Sequence, residues 1–404
     1  MGGETIMLFT AEDVFDFVEQ EDVKFIRLAF CDAFGRQKNI AIMPDELRRA
    51  FSDGISFDAS AVRGFGSVVK SDLLLFPIPS TFNVLSWRPA GGKVVRMLCG
   101  IKRPDGTEFE LDPRKILRDA VFKAGESGLS VYFGSEFEFY LFKTDEDGES
   151  TKTPFDKAGY MDVAPDDKGE NIRREICLTL ADMGIRPESS HHEEGPGQNE
   201  IDFRYSDALS AADNAMNFVT VVKAAALNNG LYADFSPKPL KGESGNGMHI
   251  NISVKDKNGF DPTPAFMAGI MARVREITAF LNPSESSYDR LGEKKAPKYV
   301  TWSHENRSQL VRIPAAKGEY KRIELRSPDP TANPYIAFAL LIYAGLEGIE
   351  KDLSVPEAVN ENLFTAPSSV TEKLEMLPQS LEEAKKLARE SAFVQKYLPK
   401  EYIP

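Results

Sequence analysis

The chain has 404 residues, of which 42% are hydrophobic and 27% are charged, and this composition is typical of an ordinary globular protein. Its length suits two domains, or one large domain with an appendage. The formal net charge of −13 argues against a nucleic-acid partner, although a local arginine cluster with a divalent metal could still bind a nucleotide.

Targeting and redox signals are absent from the sequence. Cys31, Cys99 and Cys177 show no CxxC spacing, which indicates neither a disulfide framework nor a zinc–thiolate site and is typical of reduced thiols. The first eight residues fit neither a signal peptide nor the myristoylation pattern. Since no apolar run approaches membrane-spanning length, we predict a cytoplasmic protein without a membrane partner.

The first hundred residues predict a small α+β unit. A helix is expected over residues 11–20, and strands are expected over residues 23–28, 37–42, 73–76 and 94–99. Turns rich in proline and glycine separate these strands. We place the domain boundary after residue 103, which predicts one domain over residues 1–103 and a second over residues 104–404.

The rest of the chain predicts long amphipathic helices mixed with strands. The helices are expected over residues 112–127, 169–184, 206–229, 264–281, 334–350 and 380–397. Ser206-Asp207 is typical of a helix start, Gly230 of a helix end and Pro334 of a first helical position. Strands and helices do not alternate as regular βαβ units, so we predict an α+β fold rather than a doubly wound sheet.

Three predicted strands alternate apolar residues with ionisable ones. They cover residues 134–139, 249–253 and 322–326. Because successive side chains of a strand point to opposite faces, Glu136 and Glu138 share one face while Phe137 and Phe139 pack behind them. Burying such a charged face is costly unless metals or charged ligands compensate it, so the pattern predicts an active site.

An acidic turn adds further candidate ligands. The segment 191–200 holds two of the four histidines and a Gly-Pro-Gly turn, and by itself it could be a solvated loop. Combined with the strands, it completes an oxygen-rich set that suits Mg²⁺ or Mn²⁺ better than zinc or copper. Two metals could share these ligands and leave positions open for phosphate and water. The set comprises Glu136, Glu138, Glu193, Glu200, His249 and Glu324.

Arginines are concentrated downstream, where they could recognise carboxylate or phosphate groups in a bidentate manner. They are Arg290, Arg307, Arg312, Arg322 and Arg326. The sequence has no Walker A motif, no complete dinucleotide fingerprint and no nucleophile elbow. A nucleotide would therefore have to be bound without any of these motifs.

Taken together, the motifs resemble those of the glutamine synthetase family, bacterial type I, over nearly the whole chain. The segments that carry the resemblance are 57–60, 134–139, 191–193, 197–200, 245–249, 306–308, 312–314 and 322–330. The resemblance implies a small N-terminal β-grasp-like domain and a large catalytic domain with a curved antiparallel sheet backed by helices. It also implies a homo-oligomeric ring, a hexamer or a dodecamer, with active sites between subunits.

The resemblance further implies an ATP-dependent ligase that forms γ-glutamyl phosphate from glutamate, after which ammonia displaces the phosphate. On the matching positions, Glu138, Glu193 and Glu200 would hold one Mg²⁺ or Mn²⁺, and Glu136, His249 and Glu324 the other. The remaining implied roles are glutamate binding by Gly245, Arg290 and Arg326, phosphate stabilisation by Arg307 and Arg312, nucleotide binding by Asn251, Ser253, Arg312 and Arg322, and ammonium binding by Asp58. Positioning by arginine and charge neutralisation by metals are what phosphoryl transfer requires.

Several positions depart from the family pattern. Lys295 stands where the family has a flap glutamate that shields the intermediate and helps to deprotonate ammonium, and Glu293 is the nearby carboxylate that could replace it. Ala61 replaces a usual serine beside Asp58, and Ser244 replaces an asparagine near the amino end of the substrate.

Two further departures concern regulation and assembly. Phe364 replaces the tyrosine that is adenylylated in some relatives, which excludes that modification here. The sequence stops at Pro404, where many relatives continue into a segment that clasps a second ring, so the number of rings stays open.

Three functions are compatible with these observations. We favour a glutamine synthetase that uses ammonia. The alternative is a γ-glutamyl-amine ligase of the same family that accepts a polyamine or an alkylamine, because an altered flap and Ala61 could accompany a larger amine pocket. A catalytically silent scaffold or regulator is the third, and the complete set of metal ligands argues against it.

Overall fold

The computed structural model describes residues 9–66, 68–87 and 92–404, so the N-terminal stretch on which the signal-peptide and myristoylation predictions depend lies outside the described residues. The chain divides into two compact units between Lys115 and Ile116. No helix among the described residues has the length and apolar character needed to cross a membrane.

The described part of the N-terminal unit forms a six-stranded sheet in the order β2-β1-β6-β4-β3, with β5 paired to β6. Strands β1 and β6 run parallel, and the other pairs are antiparallel. The elements are α1 (Ala11–Gln20), β1 (Val23–Cys31), β2 (Gln37–Ile42), α2 (Leu47–Ser52), β3 (Ile55–Asp58), β4 (Asp72–Pro77), β5 (Asn83–Val84) and β6 (Lys93–Lys102).

From residue 113 onward, strands and helices follow one another irregularly. The strands are β7 (Leu129–Thr144), β8 (Ser150–Pro154), β9 (Pro187–His192), β10 (Gln198–Phe203), β11 (Ser206–Asp207), β12 (Leu231–Asp234), β13 (Met248–Asp256), β14 (Trp302–His304), β15 (Val311–Ile313) and β16 (Ile323–Leu325). The helices are α3 (Pro113–Glu126), α4 (Glu170–Asp182), α5 (Ala208–Asn228), α6 (Thr263–Leu281), α7 (Glu285–Arg290), α8 (Pro334–Glu350), α9 (Ser368–Thr371), α10 (Leu381–Glu390) and α11 (Ala392–Tyr397).

The ten-stranded sheet of this second unit is built around the long strand β7. Its order is β14-β15-β16-β13-β7-β10-β9, and all pairs except β14 with β15 are antiparallel. One face of β7 packs on helices: Phe133 stacks on Phe338 of α8 at 4.2 Å between ring centroids, and Phe137 on Phe218 of α5 at 4.9 Å. The predicted α+β fold is confirmed, and the opposite face of β7 remains for polar groups.

Two helix predictions differ from the structure at their ends. The helix predicted over 206–229 begins at Ala208, because Ser206 and Asp207 pair with β7 as β11, and the Asp207 side chain then caps α5 by accepting from Ser210 N at 3.1 Å. The single helix predicted over 380–397 is wrong. Ser391 adopts an extended conformation, with φ −77° and ψ 114°, and its hydroxyl accepts from Val394 N at 3.1 Å to start α11.

Candidate active site

Strand register brings the predicted acidic residues together on one face of the sheet. Glu138 lies opposite Glu200 of β10, and His249 of β13 lies opposite Glu136. Glu324 of β16 pairs with Asn251 of β13, one strand further along the sheet. Phe137 and Phe139 are buried on the other face, as the alternation predicts, with 2% and 0% exposure. Residues more than a hundred positions apart in sequence therefore meet in one place.

A cavity of about 440 Å³ opens over this face. Its lining combines carboxylates with guanidinium groups, and most of the predicted site residues contribute to it. Those residues are Glu136, Glu138, Glu193, Glu200, Gly245, His249, Arg290, Arg307, Arg312, Arg322 and Arg326. Ser244, Glu293 and Lys295, at which the sequence departs from the family pattern or offers a substitute, also line it.

The first acidic group is Glu136, His249 and Glu324, whose ligand atoms lie within 4.8 Å of one another. His249 Nδ1 lies 3.2 Å from Glu136 Oε2, and Asn251 Nδ2 donates to Glu136 Oε1 at 2.8 Å. Although burial favours the neutral acid, the His249 and Asn251 contacts prevail and lower the pKa of Glu136 to about 2. This set matches one of the two predicted metal-ligand trios.

Glu324 is fully buried at the end of this group. Its two carboxylate oxygens form ion pairs with Arg312 and Arg326, which both line the cavity. Burial lowers the pKa of Arg312, and the Glu324 carboxylate opposes that change. The first group thus carries its compensating cations within the chain.

The second acidic group contains Glu138, Glu193, Glu200 and Asp202. Glu138, Glu193 and Glu200, which were predicted to share one metal, fall into two overlapping groups of neighbouring ligand atoms. One group contains Glu138, Glu200 and His249, and the other contains His191, Glu193 and Glu200. Glu136, Glu200 and Asp202 form a further set. The nearest histidine nitrogen, His191 Nε2, lies 3.3 Å from Glu200 Oε1.

The carboxylates of this second group repel one another in a buried setting. Burial and the Glu138 charge raise the pKa of Glu193 to about 7. Burial and Glu136 raise the pKa of Asp202 to about 7, and burial and Asp202 raise that of Glu200 well above its usual range. Burial also lowers the pKa of His191, which keeps that imidazole neutral. A buried cluster of carboxylates that repel one another is suited to binding a cation.

Arg290 and Gly245 form a tightly packed part of the cavity wall. Arg290 is 3% exposed, and its Nη1 donates to the Ser327 carbonyl at 2.7 Å. A Cβ at Gly245 would lie 2.4 Å from the Pro237 carbonyl oxygen and 2.9 Å from Arg290 Cγ, so only glycine fits. The Gly245 carbonyl accepts from Gln198 Nε2 at 3.1 Å, which connects this wall to the acidic turn.

Asn251 and Ser253 do not line the main cavity but a smaller one of about 80 Å³. Arg322 lines both cavities, and its Nε donates to Asn251 Oδ1 at 2.8 Å. Tyr205 and Tyr320 contribute aromatic rings to the smaller cavity. The predicted nucleotide-binding residues therefore divide between two spaces that share Glu136, Asp202 and Arg322 in their walls.

Asp58 belongs to the N-terminal unit, where it ends β3 and is exposed. Its Oδ1 accepts from the Ser60 backbone at 2.9 Å and from the Ser60 hydroxyl at 2.6 Å. These bonds from Ser60 lower the pKa of Asp58 and keep its carboxylate charged. Its predicted role in binding ammonium stays a prediction.

The structure also shows site residues that the sequence analysis missed. Asp202 lies two positions after Glu200 on β10, so the same alternation that selected Glu136 and Glu138 could have found it. His191 precedes Glu193 by two positions at the end of β9 and could have been found in the same way. Tyr160 and Glu194 also line the cavity, but neither carries a local signal in the sequence.

Behind the acidic turn lies a buried pair, His192 and Asp156. His192 Nε2 is 2.8 Å from Asp156 Oδ1, and His192 Nδ1 is 2.6 Å from the Glu193 carbonyl oxygen. Both partners only accept, so both ring nitrogens donate and the imidazole is protonated. Although burial opposes it, the Asp156 contact raises the pKa of His192. Because Asp156 also accepts from Gly197 N at 3.0 Å, the pair holds both ends of the turn.

Crowded carboxylates that face buried arginines in one cavity define a site for metal-assisted chemistry on an anionic substrate. The sequence matches the family described as glutamine synthetase, catalytic domain, over residues 110–404, and as glutamine synthetase, β-grasp domain, over residues 22–104. The chain belongs to the glutamine synthetase family, and its catalytic domain is that of a glutamate–ammonia ligase.

Curated relatives support the same assignment. The chain is 46% identical over 369 residues to a glutamine synthetase of Clostridium saccharobutylicum, with 88% of this chain and 83% of the relative covered. It is 47% identical over 368 residues to a glutamine synthetase of Methanosarcina mazei, with 88% and 82% covered.

A solved structure shares the fold at lower sequence identity. The complex of GmaS with ADP superposes with a TM-score of 0.87 at 28% identity and covers 96% of this chain and 93% of its own.

Proposed function

We propose that the cavity is the site where glutamate, ATP and ammonia are converted to glutamine through γ-glutamyl phosphate. The observation that carries the proposal is the juxtaposition of uncompensated carboxylates with Arg290, Arg312 and Arg326 around a single space. An acyl phosphate and its nucleotide donor are both polyanions, so their transfer needs cations on every side. Identity of 46–47% to the two glutamine synthetases supports the same reaction.

The carboxylates fit divalent metals by their own chemistry. Asp202 Oδ1 is buried without a hydrogen-bond partner in the described part of the chain, and burial together with neighbouring carboxylates raises the pKa of Glu193 and of Glu200. Oxygen donors of this kind suit Mg²⁺ or Mn²⁺. We assign two or more such ions to Glu136, Glu138, Glu193, Glu200, His249 and Glu324. When bound, the ions neutralise phosphate charge.

The arginines would orient the two substrates. Arg290 and Arg326 are buried within one network and would bind the carboxylates of glutamate, with Gly245 allowing close approach of its backbone. Arg307 and Arg312 would bind the phosphates and stabilise charge on the transferred phosphoryl group. Asn251, Ser253, Arg312 and Arg322 would bind the nucleotide, whose base could stack in the smaller cavity beside Tyr205 or Tyr320.

Ammonium binding is assigned to Asp58. Its exposed, charged carboxylate would bind a small cation, and the hydrogen bond from Ser60 N in the short 3₁₀ turn at Ala59–Ala61 orients it. In the oligomeric ring that the family relationship suggests, a hexamer or a dodecamer, Asp58 of one subunit would serve the site of its neighbour. We expect Asp58→Ala to raise the KM for ammonium about tenfold or more while the KM for ATP stays unchanged.

The second candidate function is that of a γ-glutamyl-amine ligase. Two observations favour it: the fold matches GmaS, a γ-glutamyl ligase, with a TM-score of 0.87, and Lys295 lines the cavity where the family pattern has a glutamate. The identity to GmaS is 28%, against 46–47% to the two glutamine synthetases. Ammonia is therefore the acceptor that we favour.

Phosphate release separates these functions. The protein is incubated with Mg²⁺, ATP and glutamate, and ammonium is compared with a panel of alkylamines and polyamines. Ammonium turnover that matches or exceeds turnover with the amines would support a glutamine synthetase. Turnover with an organic amine alone would identify a γ-glutamyl-amine ligase, and no release with any acceptor would favour a silent scaffold.

A further inference from the structure

An ion pair joins two segments that line the main cavity and lie far apart in sequence. Lys295 Nζ lies 2.7 Å from Glu194 Oε1, and both residues line the cavity. The other oxygen of Glu194 accepts from the Ser244 hydroxyl at 3.4 Å. The Lys295 ammonium also lies 5.1 Å from the centre of the Tyr160 ring. A carboxylate and an aromatic face thus hold one cation at the cavity wall.

The exposure of this pair argues against a mainly structural role. The Lys295 and Glu194 side chains are 50% and 37% exposed, and ion pairs this exposed contribute little to folding stability. What the contact changes is the charge of the cavity wall, because it cancels the carboxylate of Glu194. Without Lys295, the wall would present a carboxylate beside the Tyr160 ring, and that combination binds ammonium groups.

The ion pair of Lys295 with Glu194 affects which acceptor amines the cavity can bind. An amine that attacks an acyl phosphate must first lose its proton, but the second amine of a diamine keeps its own at neutral pH, as a lysine side chain does. The distal ammonium of a diamine therefore needs a partner in the wall of the cavity. Glu194 and Tyr160 are suited to that task, and Lys295 already occupies both.

We infer that Lys295 determines acceptor specificity: its ammonium fills, from within the chain, the position that would bind the distal ammonium of a diamine. The enzyme consequently favours ammonia over diamines. The inference rests on the proposed function, because it concerns the acceptor of the same reaction. Discrimination is achieved by a competing group rather than by new contacts to the preferred substrate.

The test compares Lys295→Gln with Lys294→Gln, which removes the same charge from the neighbouring residue of the same cavity wall. The probes are 1,4-diaminobutane and n-butylamine, which share a carbon chain and differ by one amine. Competition against ammonium gives an apparent affinity for each probe, whether or not it is consumed. The KM for glutamate is measured in parallel.

We expect Lys295→Gln to raise the diamine-to-butylamine affinity ratio about tenfold, which corresponds to about 1.4 kcal/mol. Lys294→Gln should change that ratio by less than about twofold, since no ion pair with Glu194 is lost. Adding Glu194→Gln to Lys295→Gln should return the ratio to that of the parent protein. Lys295→Met, which keeps the aliphatic stem, is a second variant that guards against an effect of the glutamine side chain.

Three results would overturn the inference while ammonium-dependent turnover persists. They are an unchanged ratio in both Lys295 variants, an equal rise in Lys294→Gln, and a lowered KM for glutamate with an unchanged ratio. The last would mean that Glu194 binds the amino group of glutamate instead. Absence of ammonium-dependent phosphate release from the parent protein would reject the proposed function itself, so the two failures are distinguishable.

Discussion

The two acidic groups of the cavity occupy the same face of one sheet but differ in how their charge is balanced. Glu324 forms ion pairs with Arg312 and Arg326, and contacts to His249 and Asn251 lower the pKa of Glu136 to about 2. In the second group, burial together with other carboxylates raises the pKa of Glu193, in the turn after β9, and of Asp202, on β10, to about 7. Among the described residues, ion pairs and hydrogen bonds compensate the first group, whereas in the second group burial and mutual repulsion outweigh the Lys295 charge. We call the second group uncompensated.

The difference shows where the protein depends on a bound cation. A compensated group can form at folding without a metal, because its cost of burial is offset by arginine, histidine and asparagine. An uncompensated group becomes fully charged only when a cation is bound or protons are lost against repulsion. We therefore expect substitutions in the two groups to affect stability in opposite directions, and four measurements test this difference.

The largest effect is expected from Glu324→Gln. This change keeps the shape of the side chain but removes the charge shared by Arg312, Arg326 and the proposed metal. Turnover should fall about 10³-fold, as it does when a stabilising group of a charged transition state is lost. Phosphate release with ammonium measures the loss, and activity within about tenfold of the parent would contradict the role of Glu324.

The second prediction compares stability in the two groups without metal. Glu324→Gln should destabilise the protein by about 3 kcal/mol, because the buried Arg326 and the partly buried Arg312 lose their partner. Glu200→Gln should stabilise it by on the order of 1 kcal/mol, because one repelling carboxylate is removed. Urea unfolding in the presence of a chelator gives both values. If both variants change the free energy of unfolding in the same direction, the charge of the two groups is balanced in the same way.

The third prediction concerns the support behind the uncompensated group. His192→Gln should weaken Mg²⁺ binding by about tenfold, because the imidazolium no longer ties the Glu193 carbonyl to Asp156. Isothermal calorimetry measures the affinity. His304→Gln, a change at an exposed histidine, is the control, and equal loss in both variants would exclude a positioning role for His192.

The fourth prediction concerns the pH dependence of the stability of the metal-free protein. The folded-state pKa of Glu193 is about 7 and exceeds its unfolded value, so the folded state binds the extra proton between about pH 4.5 and 7. Stability is therefore lost as pH rises through that window, by up to about 1.4 kcal/mol per pH unit.

Glu193→Gln tests this sign directly. The variant should lose less stability than the parent between pH 5 and 7 in chelator, and saturating Mg²⁺ should remove most of the difference between them. A steeper loss in the variant would mean that Glu193 is compensated after all.

Alternation in β7 and β13 allowed the polar face to be predicted, because a side chain's face depends only on whether its position is odd or even within a strand. Alternation placed Glu136 and Glu138 on the same face of β7, as the structure has them, and the same rule applied to β10 would have found Asp202. The break between α10 and α11 was missed, because a serine within an amphipathic pattern is an unremarkable helix residue unless its hydroxyl caps a new helix.

Local periodicity and motif content, which depend on neighbouring residues, were sufficient for the α+β class and the family, and they selected many of the residues that line the cavity. The tertiary structure decided which charges meet. The pairing of Glu324 with Arg312 follows from the register of β15 and β16, and that of Lys295 with Glu194 joins residues about a hundred positions apart. Charge balance depends on distance and burial, and neither can be obtained from the order of residues along the chain.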